Sequence, residues 1–341
     1  MLRQSLLFLS ESPAAKSFIT RAPVARQIAR RFVAGETLDE AIHAARQSTE
    51  QGLKVSLDYL GESVHNREEA EHAADVLIET LERIAAEELD ANLSVKPSQL
   101  GIDIDLDFCR ENIERVLERA RELGDGDGEI FVRLDMEASD YTERTVALTE
   151  ALWEDGYRNV GTVLQSYLRR TPRDLDRLIG RGMRIRLVKG AYKEPDEVAF
   201  PDKAEVDRMF MEETKTLLHG AHYPAIATHD EEIIKATRQY AFEHGISRES
   251  FEFQMLYGIR RDLQQRLRED GYNVRIYMPF GGSWYPYLMR RMAERPANLF
   301  FITGNILRES PVPTVVNPYG LGAGVVAGAL LGLAWRRRNH R

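Results

Sequence analysis

Adjacent arginines, Arg290 and Arg291, follow a glycine- and aromatic-rich run that begins at Tyr277 and contains Gly281, Gly282, Trp284, Tyr285 and Tyr287. Neighbouring side chains on a helix point about 100° apart, so such a pair suits one anion approached from two sides better than one surface ion pair. Each guanidinium fork can hold a carboxylate through two parallel bonds, and the chemistry implied is capture of a small anion. Glu294 lies within ion-pair reach of either arginine on the same helix. A solvated basic spot is the bland alternative. The run reads as a strand over 275–278, a break at Pro279 and the glycines, then a helix.

Further polar residues stand where hydrophobic runs end: Lys96, Asp135, Gln165, Lys189, His229 and Gln254. Each alone reads as a loop residue. Asp135 and Glu137, two apart on a strand, form a carboxylate pair that would suit glycoside hydrolysis. Of three tryptophans, however, Trp284 alone falls near a strand exit to stack a sugar. Lys189 at a strand end would suit a Schiff base. His219 and His222 lack a third ligand at zinc spacing.

The elements that would bring these residues together recur along the chain. Residues 12–52 read as a helical arm rich in Ala and Arg, broken at Pro13 and Pro23. From Leu53 onward short strands alternate with amphipathic helices: strands over 55–59, 92–96, 129–136, 160–166, 184–189, 225–228, 251–256 and 274–278. Asn66 to Glu69 reads as a capping box, and Asp202 to Glu205 caps another helix. Thr171-Pro172 reads as a cap followed by proline in the first turn, and Gly124 as a C-cap. Eight strand–helix units with short connections predict parallel strands with right-handed crossovers, closing as a (β/α)8 barrel, a TIM barrel of α/β class. An open doubly wound sheet is the runner-up, but no Gly-x-Gly-x-x-Gly turn follows a strand. In a barrel the strand ends converge on one face, which gives the six polar groups a common site.

The chain has 341 residues, and its net charge of −8 argues against a nucleic-acid partner, which would demand a basic field. A single cysteine, Cys109, rules out an intrachain disulfide framework and a cysteine metal cluster. With eight lysines against 38 arginines, a lysine at a strand end is worth notice. Residues 1–9 contain Leu-Leu-Phe-Leu but no small-residue cleavage site, so no secretory signal is read there. Beyond residue 300, Pro311 and Pro313 read as a linker, and an uncharged Gly/Ala/Leu/Val run over 320–335 precedes three arginines. About 16 helical residues span about 24 Å, short of a typical hydrocarbon core of about 30 Å. The basic flank favours a membrane anchor; a helix packed on protein is the alternative. The domain reading is therefore an arm at 1–52, a barrel at 53–300 and a linker with apolar tail at 301–341.

Taken together, seven segments in order resemble the proline dehydrogenase family. They are the stretch around Lys96 (94–101), Arg133-Leu-Asp-Met-Glu137, Leu164 to Leu168, Arg186 to Tyr192, Ala227 to Asp230, Phe253 to Gly258, and Tyr277 to Glu294. They cover about residues 53–300, and no second catalytic domain follows, so the likeness is to the monofunctional enzyme. The resemblance implies a distorted barrel that binds FAD and oxidises L-proline to Δ1-pyrroline-5-carboxylate by hydride transfer to flavin N5, passing electrons to a membrane quinone. It implies that Lys96, Asp135, Tyr277, Tyr287, Arg290 and Arg291 surround proline, with Asp135 and Arg186 the catalytic pair. Met136, Gln165, Arg186, Lys189, Gly190, Ala191, Thr228 and His229 would hold FAD, Tyr192 would shape the pocket, and Glu62 would gate it with an arginine, near Glu294. A location on the cytoplasmic face of the membrane follows as an expectation. A tethered barrel that binds a ligand without turnover is the alternative from another class.

Overall fold

In a computed structural model, residues 29–61, 64–124 and 129–294 are described. Arg30–Trp284 forms one compact unit, and the chain from Tyr285 belongs to a second. Within the first, helix α1 (Leu38–Glu50) leads into β1 (Lys54–Tyr59), α2 (Arg67–Ala86), β2 (Ala91–Val95), α3 (Leu106–Glu122), β3 (Val132–Leu134) and α4 (Ser139–Glu154). Then come β4 (Val160–Gln165), α5 (Thr171–Ile179), β5 (Arg184–Val188), α6 (Lys203–Gly220), β6 (Ala225–Ala227), α7 (Glu231–Glu243), β7 (Glu252–Leu256), α8 (Arg261–Glu269) and β8 (Asn273–Phe280). Helix α9 (Trp284–Glu294) follows. The strands are parallel and close in sequence order, β8 pairing with β1 from Lys54↔Arg275 to Tyr59↔Phe280. The (β/α)8 barrel is the architecture expected from the alternation, with the site at its carboxyl face.

Helices form where apolar residues recur at helical spacing and a cap satisfies the first free amides. In α2, Ala70, Ala73, Ala74, Leu77, Leu81 and Ile84 are buried against the strands. In α3, Ile113, Val116, Leu117 and Ala120 do the same, with Asp105 accepting from the Phe108 amide. Thr37 and Glu40 cap α1 reciprocally, and Ala41, Ile42 and Ala45 of α1 join the core that contains Val55 and Leu57.

Local readings differ from the structure in four places. Glu69 does not close a capping box on Asn66; its carboxylate accepts from the His65 amide at 2.7 Å, while Asn66 accepts from Glu69. Thr171 caps nothing: its hydroxyl donates to the Gln165 carbonyl at 2.6 Å, fastening α5 to the end of β4. The C-cap of α3 is Leu123, one residue before Gly124. Pro279 does not break the last strand, because β7 ends at Leu256, opposite Tyr277, and asks no N–H from residue 279. The Pro279 carbonyl accepts instead from the Ala34 amide at 2.8 Å. The turn comes at Gly281, whose φ of +117° favours glycine and whose added Cβ would meet the Tyr59 ring at 3.1 Å.

Candidate active site

Strands buried on both faces carry apolar side chains outward and, in this barrel, polar ones inward. On β1, Val55 and Leu57 pack in the core while Ser56 and Asp58 are buried with them. The inward positions of β2, β3, β5, β7 and β8 supply Ser94, Arg133, Arg184, Arg186, Glu252, Gln254, Arg275 and Tyr277. Lys96 and Asp135 each follow the last residue of their strand and complete the set. Such a lumen must pair its charges or pay their desolvation in full.

Pairing is densest around Asp135, which is buried. Its Oδ1 accepts from Arg186 Nη1 at 2.8 Å, and its Oδ2 from the Tyr277 hydroxyl at 2.8 Å and from Lys96 Nζ at 3.5 Å. Arg186 also donates through Nε to Gln254 and through Nη2 to Ser94 at 2.9 Å, with Ser56 at 3.5 Å. Lys96 Nζ lies nearest Asp58 Oδ1, at 2.6 Å, and also donates to the Tyr277 hydroxyl at 3.2 Å. Side chains from β1, the end of β3 and β8 thus converge on the ammonium carried at the end of β2.

The two carboxylates respond oppositely. Burial opposes ionisation of Asp135, but Arg186, Lys96 and the Tyr277 hydroxyl outweigh it and hold its pKa below the usual value. At Asp58 burial wins over Lys96, and with Asp135 alongside it the carboxyl rises to about 6. Hydrogen bonding explains part of the contrast: both oxygens of Asp135 are bonded, whereas Oδ2 of Asp58 is buried without a partner. Burial also lifts the Tyr277 phenol well above its ordinary range, with Asp135 and Asp58 adding to the effect.

Below this cluster, Glu252 accepts two bonds from Arg275 Nε at 3.0 Å and holds the charge there. Arg133 is fully buried, and none of its three guanidinium nitrogens has a hydrogen-bond partner; the Phe131 ring lies under it at 4.9 Å. Burial depresses its pKa strongly, and Arg186 adds repulsion.

The exits of β4, β5 and β6 carry the residues expected to hold a dinucleotide. Gln165 donates to the Glu137 carbonyl at 3.3 Å, and its buried Oε1 has no partner. Lys189 donates to Asp207 at 2.5 Å and Asp230 at 3.2 Å. Gly190 has φ +108°, and an added Cβ would lie 2.2 Å from the Tyr167 ring, so the glycine makes room for that ring. Ala191 is exposed and Tyr192 half-buried on the loop that follows. Met136 and Thr228 are buried, and the Thr228 hydroxyl accepts from the Asp230 amide at 3.1 Å. His229 Nε2 accepts from the Leu256 amide at 2.8 Å, which in the neutral ring leaves the hydrogen on Nδ1.

This environment would fit a flavin: its pyrimidine edge offers both donors and acceptors, for which the unpartnered Gln165 oxygen would be an acceptor and the Arg186 guanidinium a donor. Lys189 supplies a cation for phosphate.

Competing chemistries lose their groups. Glu137 is engaged in structure: its carboxylate accepts from the Ser98 hydroxyl at 2.6 Å and the Ser98 amide at 3.1 Å, so it is no paired acid for Asp135. His219 bonds the Tyr240 hydroxyl at 2.8 Å, and no group of three metal ligands occurs among the described residues.

On α9, the Arg291 guanidinium lies 5.1 Å from the centre of the Tyr287 ring, one turn back, and Arg290 and Glu294 share the helix. This helix from Tyr285 belongs to the second unit. Glu62, the arm before residue 29 and the tail from 295 lie outside the described residues. Reasoning from sequence passed over Asp58, Ser56, Ser94 and Arg133 as site residues. The available signal was polar residues at every second position of strands whose two faces must both be covered.

Comparison with known proteins identifies the family. Residues 41–303 match the family model described as proline dehydrogenase. The chain is 42% identical over 299 residues to Proline dehydrogenase 2 of Bacillus subtilis, covering 88% of this chain and 96% of that protein. It is 39% identical to the proline dehydrogenase of Deinococcus radiodurans over 318 residues, 90% of this chain and 98% of that protein. Among solved structures, proline utilization A (PutA) from Bdellovibrio bacteriovorus superposes with a TM-score of 0.73 at 27% identity, over 84% of this chain and 34% of that longer one.

Proposed function

The chain belongs to the proline dehydrogenase family, and on that premise we propose that it is an FAD enzyme oxidising L-proline to Δ1-pyrroline-5-carboxylate with a membrane quinone as final acceptor. The observation that carries the reading is the buried cluster of Lys96, Asp135, Arg186 and Tyr277 at the carboxyl ends of the strands.

When bound, FAD supplies a two-electron acceptor for the hydride that leaves the ring carbon beside nitrogen. The protein's part is alignment and charge. Arg186, fixed on three sides by Asp135, Gln254 and Ser94, is a rigid cation that would hold the polar edge of a bound flavin. Gln165, Thr228, His229 and Met136 would hold FAD together with Lys189, Gly190 and Ala191, Lys189 supplying a cation for phosphate. By the family resemblance the residues assigned to proline are Lys96, Asp135 and Tyr277 of the barrel and Tyr287, Arg290 and Arg291 of the helix that follows, the two arginines for its carboxylate, with Tyr192 shaping the pocket. The resemblance assigns Glu62, which lies outside the described residues, to a gate with a clamp arginine, and counts Glu294 among the gate residues. The tail at 320–341 is the membrane contact and keeps the barrel on the cytoplasmic face. No helix among the described residues is long and apolar enough to cross a membrane.

The test is reconstitution with FAD followed by L-proline and an artificial acceptor. Flavin absorbance that bleaches with proline and returns with acceptor is expected. A protein that binds no flavin, or holds flavin that proline leaves oxidised, refutes the proposal.

A further inference from the structure

Oxidising a secondary amine requires more than a hydride acceptor. Proline arrives as an ammonium ion, and its nitrogen must free a lone pair before a C=N bond can form. One proton therefore has to leave the nitrogen, and a group of the protein has to take it.

Asp135 is poorly suited. Both of its oxygens are bonded, one to the Arg186 guanidinium and one to Tyr277, and protonation would break those bonds. The Tyr277 hydroxyl already donates to Asp135. Asp58 is bonded differently. It lies fully buried at the end of β1, its Oδ1 sits 2.6 Å from Lys96 Nζ, and its Oδ2 has no hydrogen-bond partner. The charged and titratable groups facing it are Lys96 from β2, Asp135 from β3 and Tyr277 from β8, with Arg186 of β5 behind Asp135. Two carboxylates around one ammonium, one fully bonded and one half-bonded, divide the roles of fixed anion and proton acceptor.

We propose that Asp58 is the terminal proton acceptor for the substrate amine, acting through Lys96. The inference rests on the proline-oxidising reading above. Lys96 first releases one of its protons to Asp58 along the 2.6 Å contact, which leaves a lone pair on Nζ. The substrate N–H bond then breaks, its electron pair stays on the substrate nitrogen, and the proton passes to that lone pair on Lys96 Nζ. Lys96 ends the step as an ammonium, Asp58 as a neutral acid, and the substrate as a free amine. The nitrogen lone pair then forms the C=N bond while the hydride leaves with its electron pair to the flavin. Acting through another residue, Asp58 is a positioning residue, and its effect is on protonation rather than on substrate contact. Its raised pKa, about 6, sets the direction of the pH dependence: the acceptor is available above that value and blocked below it.

The experiment compares wild type, Asp58→Asn and Lys96→Arg, each loaded with FAD. Wild-type kcat/KM should show an acid limb near pH 6. Asp58→Asn should lose that limb and about 100-fold or more in kcat. Its flavin content and its affinity for a cyclic carboxylate lacking the amine should stay near wild type. Lys96→Arg keeps the charge next to Asp58 but cannot release a proton, and should lose kcat to a similar extent. A carboxyl titration followed by difference infrared spectroscopy in flavin-free protein supplies a reading independent of turnover; one carboxyl near pH 6, missing in Asp58→Asn, is expected. Proline oxidation with an unchanged acid limb in Asp58→Asn overturns the relay alone, as does a Lys96→Arg variant with wild-type kcat. A wild type that binds flavin yet leaves proline untouched overturns the function and the relay with it.

Discussion

Asp135→Asn isolates the anion on which the site is built. Asparagine keeps the shape of aspartate but removes the charge, and its amide nitrogen cannot accept a bond. In the protein Asp135 accepts from Arg186 at 2.8 Å, Tyr277 at 2.8 Å and Lys96 at 3.5 Å, all of them buried or nearly so. Removing one partner from a buried ion pair costs about 3–5 kcal/mol, because the remaining charge stays desolvated. Asp58 still compensates Lys96, so the cost falls on Arg186 and belongs at the lower end, about 3 kcal/mol. The sign with pH follows from the depressed folded pKa of Asp135. The stabilisation is complete above the unfolded value of about 3.9 and disappears as pH falls through the lower folded value. Denaturant unfolding of flavin-free protein at pH 7 should show the full loss in the variant, and the gap should close as both proteins are taken well below pH 4. A gap under about 1 kcal/mol at pH 7, or one that persists unchanged in acid, would mean that Asp135 is not the counter-ion of Arg186.

Arg133→Met should leave stability unchanged or raise it by up to about 4 kcal/mol, since the buried guanidinium has no hydrogen-bond partner to lose; a large destabilisation in thermal or denaturant melts would show that the charge is needed. Glu213 on α6 is buried, and burial, opposed only by the nearby Ser166 hydroxyl, lifts its pKa to about 8. A raised acid pKa makes stability fall as pH rises from the unfolded value near 4.3 to about 8; Glu213→Gln should flatten that part of the stability profile, and an unaltered slope would place the titration elsewhere. Arg290→Ala and Arg291→Ala should each weaken a cyclic carboxylate analogue by about 2–5 kcal/mol while flavin content holds, with Arg291→Lys recovering part of the loss. Wild-type affinity in both alanine variants would remove them as the carboxylate clamp.

The sequence by itself determined the barrel, because strand and helix periodicities are local. Alternation at 55–59 and helical spacing at 73–84 need no knowledge of distant residues, and eight repetitions leave few topologies. It also placed Lys96, Asp135, Gln165 and Lys189 at strand exits, and a closed parallel sheet brings such exits to one face. Two unlike consequences of pairing stayed hidden. Asp58, near the end of β1, and Asp135, just past the end of β3, are the same residue type beside the same lysine, yet one is raised and the other lowered in pKa. The difference comes from Arg186, 51 residues beyond Asp135, and Tyr277, 142 beyond it, which bond both oxygens of one carboxylate and leave an oxygen of the other bare. Likewise Glu137 has the spacing of a catalytic acid, but the fold sets it against Ser98, 39 residues earlier, and its carboxylate holds a turn. Pro279 has the chemistry of a strand breaker and sits in a strand because its neighbour β7 has already ended. Residue type and periodicity fix which groups reach the barrel mouth; the partners each meets there, and hence which proton is held and which is given up, depend on contacts between strands far apart in the chain.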